Sequence, residues 1–437
     1  MSKEKDDLIA RSKQYWNPGK TSEWQRMGVD LVIDRREAYY LWDVDGRRLI
    51  DVHLNGGTYS LGHRNPEVVE AVREGMAYFD IGNHHFPSIM RTHVAEMLER
   101  LTPAGLKRTI FASGGAEAID IALKSARNAT KRRKIICIER CYHGHTGLAV
   151  QVGDDRFSKL FLSDAPPEEV VKVPFNDLDR MLSAIAVGDA ACVIMETIPA
   201  TYGFPMPKPG YLNAIKQACE KVGTLYIADE VQTGLMRTGE MWGIETYGVD
   251  PDILVTGKGL SGGIYPIAAA VVSEKAGKWL SEDGFGHMSS FGGAELGCLA
   301  AAKVLEICSR PETRSQVHYI SAYLANGLRQ VQQNYPDFFI GIRQRGVVMG
   351  LEFNHDQGAV YVMKHLYQNG IWAIFSTLDK RILQFKPGLL IDREMCDEIL
   401  TRLDTSLAQA QGEVFGGRAK SVVTSASRPS YSRQSAA

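Results

Sequence analysis

No apolar run in this 437-residue chain approaches the roughly 18 residues needed to cross a bilayer, so no membrane-spanning helix is expected. The opening residues, Met1-Ser-Lys-Glu-Lys-Asp-Asp7, lack the apolar core of a secretory signal, and export is not expected either. An excess of charge is missing too. Lys and Arg number 50 against 51 Asp and Glu, so no overall field draws the chain to nucleic acid or to an anionic membrane. Cysteine is sparse and scattered: Cys137, Cys141, Cys192, Cys219, Cys298, Cys308 and Cys396 form no Cys-x-x-Cys pair and no zinc-like Cys/His spacing. The expectation is a metal-free cytoplasmic protein whose thiols are reduced and packed as small hydrophobes. No internal repeat is visible.

What is present is a globular composition, 44% apolar and 23% charged, with enough chain for more than one unit. From about residue 108 to 273, short apolar runs alternate with helical stretches. The runs begin at Arg108, Lys134, Ala191, Thr224, Ile253 and Ala268. They are continuously apolar rather than alternating, which predicts strands covered on both faces and a mostly parallel sheet with crossover helices. Ligands of such α/β sheets bind at the carboxyl ends of the strands. The flanks read differently. Residues 38–52 predict a hairpin turning at Asp45-Gly46, and residues 311–410 mix helices with strands around Val347–Phe353 and Arg381–Phe385. Segments 1–55 and 311–411 are expected to form a smaller α+β domain beside a large domain at 56–310. A Ser-rich tail, 412–437, is expected to be disordered.

Three pieces carry chemistry. In Phe111-Ala-Ser-Gly-Gly-Ala-Glu117 a strand runs through two glycines into a helix whose Ile119, Leu123 and Ala126 share one face. Backbone N–H groups at such a helix start suit a phosphate, although a bare Gly-Gly turn is more often structural. Thr224-Leu-Tyr-Ile-Ala-Asp-Glu230 ends an apolar strand in two acids, which alone reads better as a helix cap or a solvated strand end. Ile253-Leu-Val-Thr-Gly-Lys258-Gly places a glycine-flanked lysine after a buried strand, either a loop charge or a desolvated amine able to form a Schiff base. A phosphate cradle, a strand-end acid and a lysine 29 residues later are together what pyridoxal phosphate requires. It needs N–H donors for its phosphate, a carboxylate for its pyridinium and an amine for its aldehyde.

The chain here resembles the class III aminotransferases among the fold-type I pyridoxal-phosphate enzymes. Asp229-Glu-Val-Gln-Thr-Gly-Leu-Met-Arg-Thr-Gly239 carries most of that likeness, followed by Pro251-Asp-Ile-Leu-Val-Thr-Gly-Lys258. Leu41–Gly46, Leu61–Pro66, Cys141–Gly144 and His287–Gly293 match in order. The resemblance implies that Lys258 holds the cofactor as a Schiff base and moves protons, while Asp229 pairs with the pyridinium. It implies Tyr142 on one ring face with His143 beside it, Val231 on the other, and Gln232 on the ring hydroxyl. Glu196 keeps the family's acid. Gly115 and Ala116 would hold the phosphate through their backbone, with Ser290 and Phe291 reaching it from the partner of a homodimer.

Departures from the family pattern bear on the substrate. Gly114-Gly-Ala-Glu117 lacks the usual hydroxyls, Ala294-Glu295 replaces Asn-Pro, and Thr197 replaces a proline. Gln384 stands where many relatives acting on α-amino acids carry an arginine, and a neutral amide cannot replace a bidentate guanidinium. The expected reaction therefore moves an amino group from an amine or an ω- or β-amino acid to an oxo-acid acceptor. An aminomutase, whose branch Cys141–His145 also resembles, or an ammonia- or phospho-lyase is the alternative, and a non-catalytic relative is the remote one. Arg35, Arg36, Arg64, Arg237 and Lys386 are candidate anion partners, each alone better read as a solvated surface charge. Tyr15-Trp16 is expected either to line a partner's pocket or to pack in the core.

Overall fold

The computed structural model describes residues 2–416. Its centre is a seven-stranded sheet in the order Leu106–Ala112, Ala268–Ser273, Ile253–Thr256, Leu225–Asp229, Ala190–Glu196, Lys134–Ile138, Val170–Val173. Every residue of Ala190–Glu196, Leu225–Asp229 and Ile253–Thr256 is buried, as continuous apolarity requires when helices cover both faces. The five strands from Ile253–Thr256 to Val170–Val173 run parallel. Ala268–Ser273 is antiparallel to both neighbours, because the link at 257–267 is too short to hold a crossover helix. The edge strand Val170–Val173 was not among the expected runs. It is short, and its Lys172 breaks the apolar run while bonding Asp155.

The helix Gly115–Thr130 crosses this sheet, and its buried stripe is wider than the expected face, taking in Ala118, Ile121, Ala122 and Ser125 as well. All seven cysteines are buried and unpaired. No helix among the described residues is long and apolar enough to cross a membrane.

The two ends of the chain meet. Tyr40–Asp43 and Arg48–Asp51 form the hairpin expected at Asp45-Gly46, and Ile371–Trp372 adds to it in parallel, with Ile371 opposite Ile50. A second four-stranded sheet orders Phe339–Arg345, Val348–Phe353, Asp379–Phe385 and Ile374–Ser376, all antiparallel. At the N-terminus, Lys5 is buried against Asp43 at 3.0 Å and Asp30 at 3.1 Å, which ties the first helix, Lys3–Tyr15, to the hairpin. Tyr15 and Trp16 are 78% and 70% exposed, so core packing is not their role. The last helix, Arg393–Phe415, runs past residue 412, where the tail was expected to begin. The remainder of that expected tail, 417–437, lies outside the described residues.

Tyr39 locks the hairpin to the segment after the Asp379–Phe385 strand. Its hydroxyl donates to the Ser60 carbonyl at 3.2 Å and accepts the Leu390 N–H at 3.0 Å. A Cβ on Gly388 would lie 1.8 Å from Cε1 of the same ring. Gly388→Ala is therefore expected to lower stability by about 1–3 kcal/mol or more through overpacking. Urea titration checks this, and an unchanged midpoint at constant slope would show that the ring moves aside freely.

Candidate active site

Ala190–Glu196 and Leu225–Asp229 lie side by side in parallel with Glu196 opposite Asp229, so both acids arrive at the same carboxyl edge of the sheet. Lys258 follows the next strand, whose Val255 pairs with Asp229. A cavity of about 630 Å³ opens there. Among its lining residues are Gly115, Ala116, Tyr142, His143, Glu196, Asp229, Val231, Gln232 and Lys258. Sequence positions more than 140 apart thus share one wall.

Asp229 is 5% exposed, and its carboxylate is held by donors on both oxygens. Oδ1 accepts the Val231 N–H at 3.0 Å, and Oδ2 meets His143 Nδ1 at 2.7 Å. Burial opposes a charge on His143, but the hydrogen bond and charge of Asp229 outweigh it and hold the imidazole pKa above its usual value. The other nitrogen, Nε2, is buried with no partner among the described residues. Glu196 accepts from the Tyr142 and Ala200 N–H groups at 3.0 and 3.1 Å, and burial pushes its pKa up to about 7. Lys258 is shifted the other way. Burial lowers its pKa, against the pull of Asp229 and Glu196, which favours the nucleophilic free amine. Its φ of +41° is strained for a residue with a side chain, as is common where a group must be aimed.

Backbone fills the rest of the site only where side chains are missing. The helix Gly115–Thr130 points its N-terminus at the cavity, and Gly114 gives no side-chain cap to the first N–H groups. Glu117 turns back instead to the Ser113 N–H and hydroxyl, at 2.8 and 2.6 Å. On the opposite side, Gly56 has φ +71°, and a Cβ there would come within 2.9 Å of Gln232 Oε1 and Lys258 Cε. Gly144, at φ +120°, passes so close to Ala116 that a Cβ would sit 2.3 Å from the alanine's own. Free N–H donors at a helix start, a buried carboxylate and a desolvated amine in one cavity are the donor set that pyridoxal phosphate needs.

Some expected residues stand elsewhere. Ser290 and Phe291 lie on an exposed loop, Phe291 at 57%, outside this cavity. Arg35 stacks over Trp42 at 4.1 Å, and Arg36 and Arg64 are exposed. Arg237 is buried but spends itself on the carbonyls of Pro387 and Val347. The structure also brings in residues that sequence reasoning passed over: His53, Asn55 and Gly56 from the N-terminal segment, and Thr377 from the C-terminal one. A further keystone is Glu230. It is fully buried and bonded to Thr197, Thr233 (2.8 Å), the Gly243 N–H (2.7 Å) and the Ile244 N–H (2.8 Å), which fixes the chain just beyond Asp229. The adjacent acids Asp229-Glu230 were its only sequence signal.

The His143–Asp229 pair makes a pH prediction for the cofactor-free protein. A histidine whose folded pKa exceeds about 6.5 contributes stability that is fully present below that value and is lost as pH rises through the folded pKa. Wild type should therefore exceed His143→Asn in stability by about 1–3 kcal/mol below pH 6.5, with the gap shrinking in alkali. Thermal melts across pH check this, and a gap that widens with pH would refute the charged pair.

Comparison with known proteins places the chain in a family. The model of the family described as Aminotransferase class-III matches residues 21–407. The chain is 43% identical, over 91% of its length and 93% of the relative's, to an uncharacterized aminotransferase of Archaeoglobus fulgidus. It superposes on the ornithine aminotransferase of Toxoplasma gondii with a TM-score of 0.84, at 26% identity over 94% of this chain and 96% of that one. A second structure of that enzyme, with pyridoxal phosphate partially occupying its active site, matches with the same TM-score at 25% identity over 93% and 95%. The chain belongs to the class-III aminotransferases, a pyridoxal-phosphate-dependent family of the fold-type I architecture that transfers amino groups between a donor and an oxo-acid.

Proposed function

We propose that this aminotransferase takes its amino group from an amine or an ω- or β-amino acid and passes it to an oxo-acid. The observation that carries this reading is Gln384. It lines the cavity at 7% exposure, and no arginine does so among the described residues. An α-carboxylate thus lacks the two parallel N–H donors that a guanidinium would offer.

In this reading each side chain has one task. When bound, pyridoxal phosphate supplies the aldehyde that receives the amino group and a ring that withdraws electrons from the reacting carbon. The N–H groups of Gly115 and Ala116 would bind its phosphate, Tyr142 and Val231 would flank its ring, and Gln232 would bind its hydroxyl. Asp229, braced by His143, would hold the proton on the ring nitrogen. Lys258 provides the amine, takes the proton from the donor carbon and returns it on the other side of the reaction. Burial supports this role, since it presses the amine towards its neutral form. Glu196 holds Tyr142 and Ala200 in place through their N–H groups.

A donor screen with no acceptor tests the substrate class. The visible absorbance of the bound cofactor should change fastest with amines and with ω- or β-amino acids, and Lys258→Ala should show no such turnover. A highest kcat/KM for an ordinary α-amino acid would overturn the reading.

The proposal includes a cytoplasmic homodimer with shared sites. Supporting it are Ser290 and Phe291, exposed on a glycine-flanked loop outside their own chain's cavity. Cofactor that binds the assembled form more tightly must also stabilise assembly. Mass photometry across a dilution series should show dimers dissociating sooner without cofactor. A monomer with full cofactor content and activity would refute it.

A further inference from the structure

One acid beside the site has no part in the chemistry described so far. Asp120 is half-buried on the helix Gly115–Thr130, four residues beyond Ala116 and so on the same face. It is not among the residues that line the cavity. Both of its carboxylate oxygens are nonetheless spent on the segment that follows Tyr142. Oδ2 accepts the Thr146 hydroxyl at 2.8 Å, and Oδ1 accepts the Ala149 N–H at 2.7 Å. Thr146 stands at the start of the short helix Gly147–Gln151 but gives it no side-chain cap. Asp120 caps the third N–H of that helix instead, from a different helix. Gly147 leaves room for it: its φ is +31°, and a Cβ there would lie 2.8 Å from Asp120 Oδ2.

Residues 142–149 are thus held from two sides. At their start the sheet edge holds them, through the Tyr142 N–H on Glu196 and His143 on Asp229. At their end the helix holds them, through Asp120. The first side carries the groups assigned to the cofactor's ring, and the second carries Gly115 and Ala116, assigned to its phosphate. Ring and phosphate are joined covalently, so the two halves of the site must keep a matching spacing to within about 0.5 Å. The contact of Gly144 with Ala116 stops the segment from moving closer to the helix, but contact alone does not stop it from drifting away. Two charge-assisted hydrogen bonds from Asp120 supply that restraint.

We infer that Asp120 is the positioning residue that sets the spacing between the phosphate-binding helix start and the ring-binding residues Tyr142 and His143. The inference rests on the tasks given to those residues in the function proposed above. It adds a specific requirement. Asp120 matters for a ligand that spans both halves of the site, and not for a ligand that occupies one half.

The test titrates the cofactor-free protein with pyridoxal phosphate, with pyridoxal, and with inorganic phosphate as a competitor of pyridoxal phosphate. Asp120→Asn keeps the side chain's shape and one accepting oxygen but turns an NH₂ towards the second donor. It should weaken pyridoxal phosphate about 10- to 100-fold, the worth of one hydrogen bond to a charged group. Pyridoxal and inorganic phosphate should bind as they do to wild type. Thr146→Val cuts one of the same bonds, so it should show the same pattern and add little to Asp120→Asn in the double variant. At full occupancy the visible circular dichroism of the bound cofactor, which reports how its ring is held, should shrink in Asp120→Asn. If Asp120→Asn fails to fold in thermal melts, Thr146→Val decides alone. Equal weakening of all three ligands, or no weakening of any, would overturn the inference. Tyr142→Ala checks the underlying assignment separately and should weaken pyridoxal as well as pyridoxal phosphate. Wild-type affinity of that variant for both would sink the ring assignment, whatever Asp120→Asn does.

Discussion

The structure turns on satisfying the oxygens of one carboxylate where water is nearly absent. Asp229 ends a strand buried from Leu225 onward. Taking a lone carboxylate out of water costs far more than a domain's net stability unless hydrogen bonds and opposite charge replace the lost solvent. His143 and the Val231 N–H supply that replacement. Glu230 then holds the turn that presents the Val231 N–H, through two hydroxyls and two backbone donors. Because Glu196 stands opposite Asp229 in the sheet register, a second acid shares the same desolvated edge, and its raised pKa relieves part of the repulsion between them.

The same dryness acts on the basic groups around the site. Lys258, Lys386, Arg237 and His53 all experience lowered pKa values, with burial the first cause in each case. Burial thus presses each of them towards its neutral form, while Asp229 and Glu196 share the strand ends.

How much of this could be read from the sequence depends on whether the signal was local. The runs at Lys134–Ile138, Ala190–Glu196, Leu225–Asp229 and Ile253–Thr256 are legible because both-face burial demands continuous apolarity. Strand direction is not written in such runs, so the antiparallel Ala268–Ser273 is recognised as a strand but not for its orientation. Asp229 and Lys258 are conspicuous as polar residues directly after buried strands. Gly56, Asn55 and Thr377 carry no comparable mark, since their place in the cavity follows from how remote segments pack. Gln384 was legible as the lack of an arginine. Its bond to Lys386, two residues away along the same strand end, depends on burial that no local pattern announces.

The meeting of the chain ends has a consequence for synthesis on the ribosome. The wall of the cavity draws on His53 and Asn55 near the start and on Thr377 and Gln384 near the finish. The short strand Ile371–Trp372 must also dock beside Arg48–Asp51 to close the N-terminal sheet. Chains emerge from the N-terminus at about 5–20 residues per second, and contacts of such long sequence separation form slowly. The central sheet can therefore gather while the hairpin still lacks its parallel partner. Competence for catalysis arrives only with the last tenth or so of the polypeptide, and a message truncated before Gln384 yields a core without a working pocket.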